Sequence, residues 1–331
     1  MTDDTKSDDE DLLRIGVSSC LMGQEVRFDG GHKRDRFVTD ELGRYARFVP
    51  VCPEVGVGMG IPRDTLRLVQ LGDGGQDTRL VVPATGVDWT ARMDRWARER
   101  VRGLEREDLD GYVLKKDSPS CGMERVKRYD DPVKPSGPPT KDGVGLYAAA
   151  LLERFPLLPV EEDGRLQDAE LRENFVERVF AYRRVKRLFG PKWTMGGLVA
   201  FHTREKLLLM AHDVGAYGAL GKLVAGAKAR PRAEVASQYA EGFMRGLRKL
   251  ATTKKHTNVL SHMAGYFKKS LDHEDRAELQ ASIEEYHRGL VPLVVPLALF
   301  RHHVRKQRVD YLAGQTYLEP SPKELMLRNH V

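Results

Sequence analysis

Cysteine is scarce in this chain, and long hydrophobic runs are missing. Three cysteines in 331 residues are an odd and small number, which argues against a scaffold held together by disulfide bonds. No apolar run approaches the roughly 20 residues that a membrane helix needs. The first residues, MTDDTKSDDEDLL, are acidic and do not have the pattern of a secretory signal or a transit peptide. We therefore expect a cytoplasmic protein with no membrane partner.

Acidic residues are unevenly distributed along the chain. Residues 181–331 hold 26 Lys and Arg against 13 Asp and Glu, a balance of +13, whereas residues 1–180 hold 28 against 35, a balance of −7. The three cysteines precede residue 122, and nine of the ten histidines follow residue 200. Two halves this different predict two domains with different functions, and the basic half predicts a polyanionic partner.

The first half has the pattern of an α/β domain. Apolar runs end in polar turns at a cysteine three times, in LLRIGVSSC (12–20), YARFVPVCPE (45–54) and DGYVLKKDSPSCG (110–122), and such runs are typical of buried strands. A helical pattern over 88–105 lies between the second and third runs, after a predicted hairpin formed by LRLVQL and TRLVVP. Alternating strands and helices predict a parallel, Rossmann-like sheet. The cysteines would then meet beyond the carboxyl ends of the strands, where such sheets bind ligands.

The second half has the pattern of an all-α domain. FHTREKLLLMAHD, EVASQYAEGFMRGLRKLAT, HTNVLSHMAGYFKKSL and DRAELQASIEEYHRGL place apolar residues at helical spacing. We predict a catalytic domain over 11–165, a linker helix over 166–189 and a basic helical domain over 190–331.

Three gathered thiolates leave two kinds of metal site open. Zinc usually takes four ligands, and His32 is the nearest candidate for a fourth. A [4Fe–4S] cluster takes one thiolate for each iron, so three thiolates would leave one iron open to a substrate, as a Lewis acid that favours sulfur.

Three sequence blocks resemble the thiouracil desulfidase family. They are SSCLMGQEVRFDGGHK, CPEVGVGMGIPR and KKDSPSCG, and the resemblance covers about residues 12–165. It implies a [4Fe–4S] cluster bound by Cys20, Cys52 and Cys121, whose open iron binds the sulfur of a thiolated uracil. It also implies functional roles for Glu54 and Ser118. We predict that Glu54 activates water and that Ser118 positions the substrate, although a loop carboxylate and a turn-forming serine are also common structural residues.

Basic residues in both halves are candidates for binding the substrate. Arg27, in the glycine-containing loop RFDGGHK, and Arg63 are predicted to meet a nucleotide phosphate. The stretch 249–270 mixes cations with rings that stack on bases. From it we predict five RNA contacts: Lys254, Lys255, His256, Lys268 and Lys269. Charges on a helix are also often no more than its solvated face.

A second resemblance links the halves. FHTREKLLLMAHD, KKHTNVLSHMAGYFKK and YLEPSPKELMLRN resemble an uncharacterised helical domain that is often fused to thiouracil desulfidases. The fused arrangement resembles the tRNA 4-thiouridine desulfidases, which implies tRNA binding by the second half and tRNA modification as the function. Three alternatives stay open: a desulfidase of free thiouracil or its nucleotide, a nucleic-acid-binding sensor with an iron–sulfur cluster, and a structural zinc protein of an RNA complex.

Overall fold

The computed structural model describes residues 12–71, 77–131 and 133–330. It divides the chain into two compact units, Met1–Gln167 and Asp168–Val331. The first unit contains eight strands among its described residues. They are β1 (Leu13–Ser18), β2 (Ala46–Val51), β3 (Arg67–Leu71), β4 (Asp77–Val81), β5 (Gly111–Leu114), β6 (Val126–Tyr129), β7 (Thr140–Gly143) and β8 (Val160–Glu162).

The main sheet of the first unit is wholly parallel. Its strands are ordered β2-β1-β5-β8, and each neighbouring pair runs in the same direction. β5 is buried at every residue and β1 at every residue but Arg14, as expected of central strands covered on both faces. The predicted α/β fold with a parallel sheet is confirmed.

A second sheet has the order β4-β3-β6-β7. The predicted hairpin is present, because β3 and β4 pair in antiparallel register; the residues of its turn, 72–76, lie outside the described residues. β6 pairs with β3 in parallel and with β7 in antiparallel register. Neither β6 nor β7 was predicted, since both are short and largely polar.

The described part of the first unit also contains three α-helices: α1 (Pro53–Gly56), α2 (Thr90–Leu104) and α3 (Leu146–Arg154). Helix α2 corresponds to the helix predicted over 88–105. It buries Met93, Ala97, Val101 and Leu104, and Met93 joins an apolar core with β3, β4 and β6.

The second unit is mostly helical, and its described residues contain no β-strand. Its α-helices are α4 (Ala169–Leu188), α5 (Met195–His212), α6 (Val214–Ala225), α7 (Arg232–Leu247), α8 (Thr253–Ala264), α9 (His273–His287), α10 (Val294–Gln307) and α11 (Asp310–Ala313). The segment predicted as a linker, 166–189, corresponds mainly to α4. That helix is counted with the second unit and buries Phe175, Val176 and Val179, so the boundary falls before the helix.

None of the described helices combines the length and the apolar character needed to cross a membrane.

Candidate active site

The three cysteines line one cavity of about 380 Å³ in the first unit. Cys20 lies in the 3₁₀ turn Ser19–Met22 that follows β1, and Cys52 directly follows β2. Cys121 lies in the loop between β5 and β6. The parallel topology therefore brings together thiols that are 32 and 69 residues apart in sequence, at the end of the sheet where the sequence pattern placed them.

Burial keeps these thiols protonated in the free protein. It raises the pKa of Cys20 to about 11 and that of Cys52 to about 12. Burial also raises the pKa of Cys121 well above its usual value, and the nearby Glu54 carboxylate adds to this effect. A thiolate is the form that binds metals, so binding at this site must displace protons.

Glu54 is the polar centre of the cavity wall. The Cys52 thiol donates to its Oε2 at 3.3 Å, and the Ser118 hydroxyl donates to its Oε1 at 3.4 Å. The Arg63 guanidinium lies 3.9 Å from Oε2, and the two side chains are 9% and 14% exposed. One carboxylate therefore contacts a thiol, a hydroxyl and a cation at the wall of the cavity.

Ser118 shapes the loop that carries Cys121. Its Oγ accepts the backbone N–H groups of Ser120 at 3.2 Å and Cys121 at 3.0 Å while its hydroxyl donates to Glu54. The turn-forming role and the predicted functional role are both compatible with this geometry.

Two glycines let the backbone pass close behind the same loop. A Cβ on Gly145 would lie 2.5 Å from the Ser120 carbonyl and 2.9 Å from the Cys121 nitrogen. A Cβ on Gly122 would lie 2.8 Å from the Ser118 carbonyl oxygen. The Gly145 N–H donates to the Gly122 carbonyl at 2.8 Å, so these glycines help to fix the position of Cys121.

Three polar residues around the site were not predicted from the sequence: Ser18, Lys115 and Asp163. Ser18 and Lys115 line the cavity, and the Lys115 ammonium pairs with Asp163 at 2.8 Å. The Lys115 N–H donates to the Ser18 hydroxyl at 2.9 Å. The lysine pair in KKDSPSCG marks Lys115 in the sequence, but nothing in the sequence pairs it with a residue 48 positions away.

Arg27 and Arg63, predicted to bind the substrate, both line the cavity. Arg27 is held by Asp29 through two contacts of 3.3 Å, and Arg63 donates to the Gly60 carbonyl at 3.3 Å. His32 is exposed and is not among the lining residues. It is therefore not placed to complete a zinc site with the thiols.

The donor set fits a cluster better than a single ion. Among the described residues, no group of three or more His, Cys, Asp or Glu side chains is arranged to hold one metal ion. A single zinc ion needs its ligands within about 2.3 Å of one point, whereas each thiolate of a [4Fe–4S] cluster binds a different iron. Three separate thiols around one cavity satisfy the second requirement.

The predicted RNA-contacting lysines divide into two groups. Lys254, Lys268 and Lys269 are exposed and stay predictions. Lys255 is partly buried, and its ammonium donates at 2.7 Å to the carbonyls of His212 and Leu250, which fixes it in a structural role.

His256, which was also predicted to contact RNA, lies in the core of the second unit and not on its surface. The residue is 4% exposed, and its Nδ1 bonds the Tyr317 hydroxyl at 2.8 Å. Burial, helped by Arg328, lowers its pKa to about 3, so the ring is neutral. Its spacing with Val259, Leu260 and Met263 on the buried face of α8 is the signal that should have identified it as a core residue.

A parallel α/β unit with a thiol-lined cavity, joined to a basic helical unit, defines the class of this protein. Residues 15–163 match the family model described as 2-thiouracil desulfurase, and residues 206–322 match that of a protein family of unknown function, DUF1722. The chain belongs to the 2-thiouracil desulfurase family through its first unit and carries the DUF1722 domain in its second.

Two bacterial proteins and one solved structure are similar to parts of the chain. The uncharacterized protein YbgA of Escherichia coli K12 is 35% identical over 153 residues, which are 46% of this chain and 90% of that protein. The uncharacterized protein YbbK of Bacillus subtilis 168 is 33% identical over 115 residues, 33% of this chain and 72% of that protein. The structure of the [4Fe-4S]-dependent thiouracil desulfidase TudS is 31% identical, covers 47% of this chain and 93% of that one, and has a TM-score of 0.37.

Proposed function

We propose that the protein is a tRNA 4-thiouridine desulfidase. It would replace the sulfur of a thiolated uridine by oxygen from water and release hydrosulfide. The observation that carries the proposal is the meeting of three thiols, Glu54 and Ser118 in one cavity. Membership of the 2-thiouracil desulfurase family supports the reaction class, and the charge of +13 over residues 181–331 supports an RNA substrate.

The reaction balances without an oxidant or a reductant. Water adds to the C=S carbon, the C–S bond breaks, and the products are C=O and H₂S, which ionises to hydrosulfide. When bound, a [4Fe–4S] cluster held by Cys20, Cys52 and Cys121 supplies an iron that has no protein ligand and a Lewis acidity directed at sulfur.

Glu54 is placed to move the protons of this reaction. Its carboxylate faces the thiol-lined cavity and contacts the Ser118 hydroxyl, so it can accept a proton from an attacking water. The Arg63 guanidinium lies 3.9 Å from the same carboxylate. Ser118 keeps Glu54 oriented while its own Oγ stays bonded to the loop of Cys121.

The first test combines metal content with turnover. Anaerobically prepared protein should hold about four irons and four sulfides per chain, and Cys121→Ala should lose them. Glu54→Gln should keep the cluster and lose about 10²–10⁴-fold in sulfide release from thiolated tRNA. Glu99→Gln, which changes an exposed carboxylate on α2, should leave both unchanged. Zinc in place of iron, or full activity in Glu54→Gln, would refute the mechanism.

Free thiouracil or its nucleotide is the second candidate substrate. The family description names 2-thiouracil, and the cavity of about 380 Å³ is of the size that holds small ligands. Comparing kcat/KM for thiolated tRNA and for free 2-thiouracil decides between them, because a protein specialised for RNA should prefer tRNA by orders of magnitude. A cluster-containing sensor, in contrast, should bind specific DNA and should not need Glu54.

A further inference from the structure

A group of aromatic and cationic side chains in the second unit lies partly at the protein surface. It consists of His202, Lys206, Tyr217, His262, Tyr266 and Tyr311, and we call it the tyrosine patch. These residues come from α5, α6, α8, α11 and the 3₁₀ turn Gly265–Phe267. Five separate elements of the chain therefore place their side chains at one location.

Tyr266 is the exposed member of a stacked pair. Its ring lies 4.8 Å from that of Tyr311 at an interplanar angle of 20°, yet the residue remains 40% exposed. Two other tyrosines of the second unit behave differently: Tyr239 and Tyr317 are completely buried and bond to His202 and His256. Tyr266 is thus not a core residue.

The turn that carries Tyr266 is held from the inside. Phe267, the next residue, is fully buried and packs 6.1 Å from both Phe300 and His303. A buried Phe anchors the turn, so the neighbouring Tyr is presented outward in a fixed position. A rigid ring loses little conformational entropy when a ligand stacks on it.

One cation contacts these rings, and two more follow the turn of Tyr266 in sequence. The Lys206 ammonium lies 4.8 Å from the centre of the Tyr311 ring, and Lys268 and Lys269 are exposed directly after the anchored turn. The imidazole of His202 lies 6.4 Å from the Tyr217 ring at 11°, and burial and Lys206 lower its pKa, so it stays neutral. Exposed rings flanked by cations are the combination that binds single-stranded nucleic acid, in which bases stack on rings and cations neutralise phosphates.

We propose that the tyrosine patch binds unpaired nucleotides of an RNA, with Tyr266 as the stacking residue. The inference rests on the proposed function, because it takes the RNA substrate as the occupant. Duplex RNA keeps its bases stacked inside the helix and offers this patch only phosphates. The patch would therefore recognise a loop or an end of the substrate, whereas the exposed lysines alone would recognise any RNA.

The test measures, by fluorescence anisotropy, how tightly the intact protein binds two labelled RNAs. One is an oligouridylate of about 12 nucleotides, a length within the site sizes of single-strand binders. The other is the duplex of this oligouridylate with oligoadenylate. Tyr266→Ala should weaken single-strand binding about ten-fold, and Tyr266→Phe should bind like the wild type. Neither should change duplex binding. Leu290→Ala, at another exposed apolar position of the second unit, is the control for surface changes. Unchanged helicity by circular dichroism establishes that the variants fold.

Salt dependence separates stacking from charge. Tyr266→Ala should shift the plot of log Kd against log salt without changing its slope, since no charge is removed. Lys268→Ala combined with Lys269→Ala should reduce the slope by about 0.7 for each lysine that contacts a phosphate. The proposal is refuted if Tyr266→Ala binds the single strand as tightly as the wild type does. It is also refuted if the substitution weakens binding of the single strand and of the duplex equally.

The two proposals fail in different ways. Suppose that the cluster-containing wild type releases sulfide from thiolated tRNA and that Tyr266→Ala does so at the same KM. Only the proposed role of the tyrosine patch is then refuted. If the wild type binds neither oligonucleotide and releases no sulfide from tRNA, the proposed function is refuted. The proposal that the tyrosine patch binds RNA is then refuted with it. Binding of an acidic protein in place of RNA would also refute the patch.

Discussion

The side chains of the cavity wall are linked by hydrogen bonds. Glu54 contacts Cys52 and Ser118, and Ser118 in turn fixes the backbone at Cys121. A change at one of these residues is therefore expected to alter metal binding and proton transfer together. Measurements of cluster content and turnover must be made on the same samples to separate the two effects.

Ser118→Ala removes the hydroxyl that links Glu54 to the Cys121 loop. We expect turnover of the loaded protein to fall about 10–100-fold, because Glu54 loses its orienting partner and two N–H groups lose an acceptor. Ser118→Thr keeps the hydroxyl and should recover most of the activity. Iron content and sulfide release report the outcome. Equal loss in both variants would mean that the hydroxyl itself has no role.

His330 is expected to make the stability of the second unit depend on pH. Its Nε2 lies 2.8 Å from Glu173, and this hydrogen bond raises the pKa of His330, with Glu170 and Asp168 adding to the effect. While Glu173 is ionised, the ion pair stabilises the fold fully below the unfolded pKa of His330, and this contribution is lost as the pH rises through the raised folded pKa of His330. His330→Asn should lower Tm by roughly 2 °C at a pH of about 5.5, since a partly exposed pair contributes up to about 1 kcal/mol.

The same substitution should lower Tm much less at a pH of about 9, where His330 is neutral in both the folded and the unfolded state. Thermal unfolding of wild type and variant at both values is the measurement. A difference in Tm that is the same at both pH values would show that the charge of His330 does not matter.

Strands and helices show what the sequence could predict. The apolar runs that end at cysteines are long and bounded by polar turns, so β1, β2 and β5 and their parallel order were predictable. Strands β6 to β8 have three or four residues and many polar positions, so no pattern identifies them. The pairing of Lys115 with Asp163 depends on β5 lying beside β8, which a sequence pattern does not encode.

Close packing behind the Cys121 loop predicts the effect of one methyl group. Gly145→Ala would place a Cβ 2.5 Å from the Ser120 carbonyl, so the loop or the start of α3 must move. We expect a loss of about 1–3 kcal/mol in stability and a lower iron content after reconstitution. Gly137→Ala is the matched control, because nothing lies within 4 Å of the point that its Cβ would occupy. Equal iron content in the two variants would show that the loop tolerates the shift.

The contrast in charge between the two halves predicts how the whole molecule responds to salt. Contacts between the basic half, +13 over 181–331, and RNA phosphates release counterions, so KM for thiolated tRNA should rise steeply with salt. Turnover of free 2-thiouracil should change little over the same range, since a small neutral substrate needs no such contacts. Steady-state kinetics from about 50 to about 200 mM salt test this. Parallel responses would show that the basic half does not contribute to substrate binding.

The spacing of the three thiols has a consequence for the durability of the first unit. A group bound at Cys20, Cys52 and Cys121 would close chain loops of 32 and 69 residues and so restrict the unfolded chain more than the folded one. Loss of that group, for example by exposure to air, would then remove a cross-link as well as a reactive centre. Loss of activity and susceptibility to proteolysis would then increase together. A protein molecule that had lost its activity would also be degraded more readily.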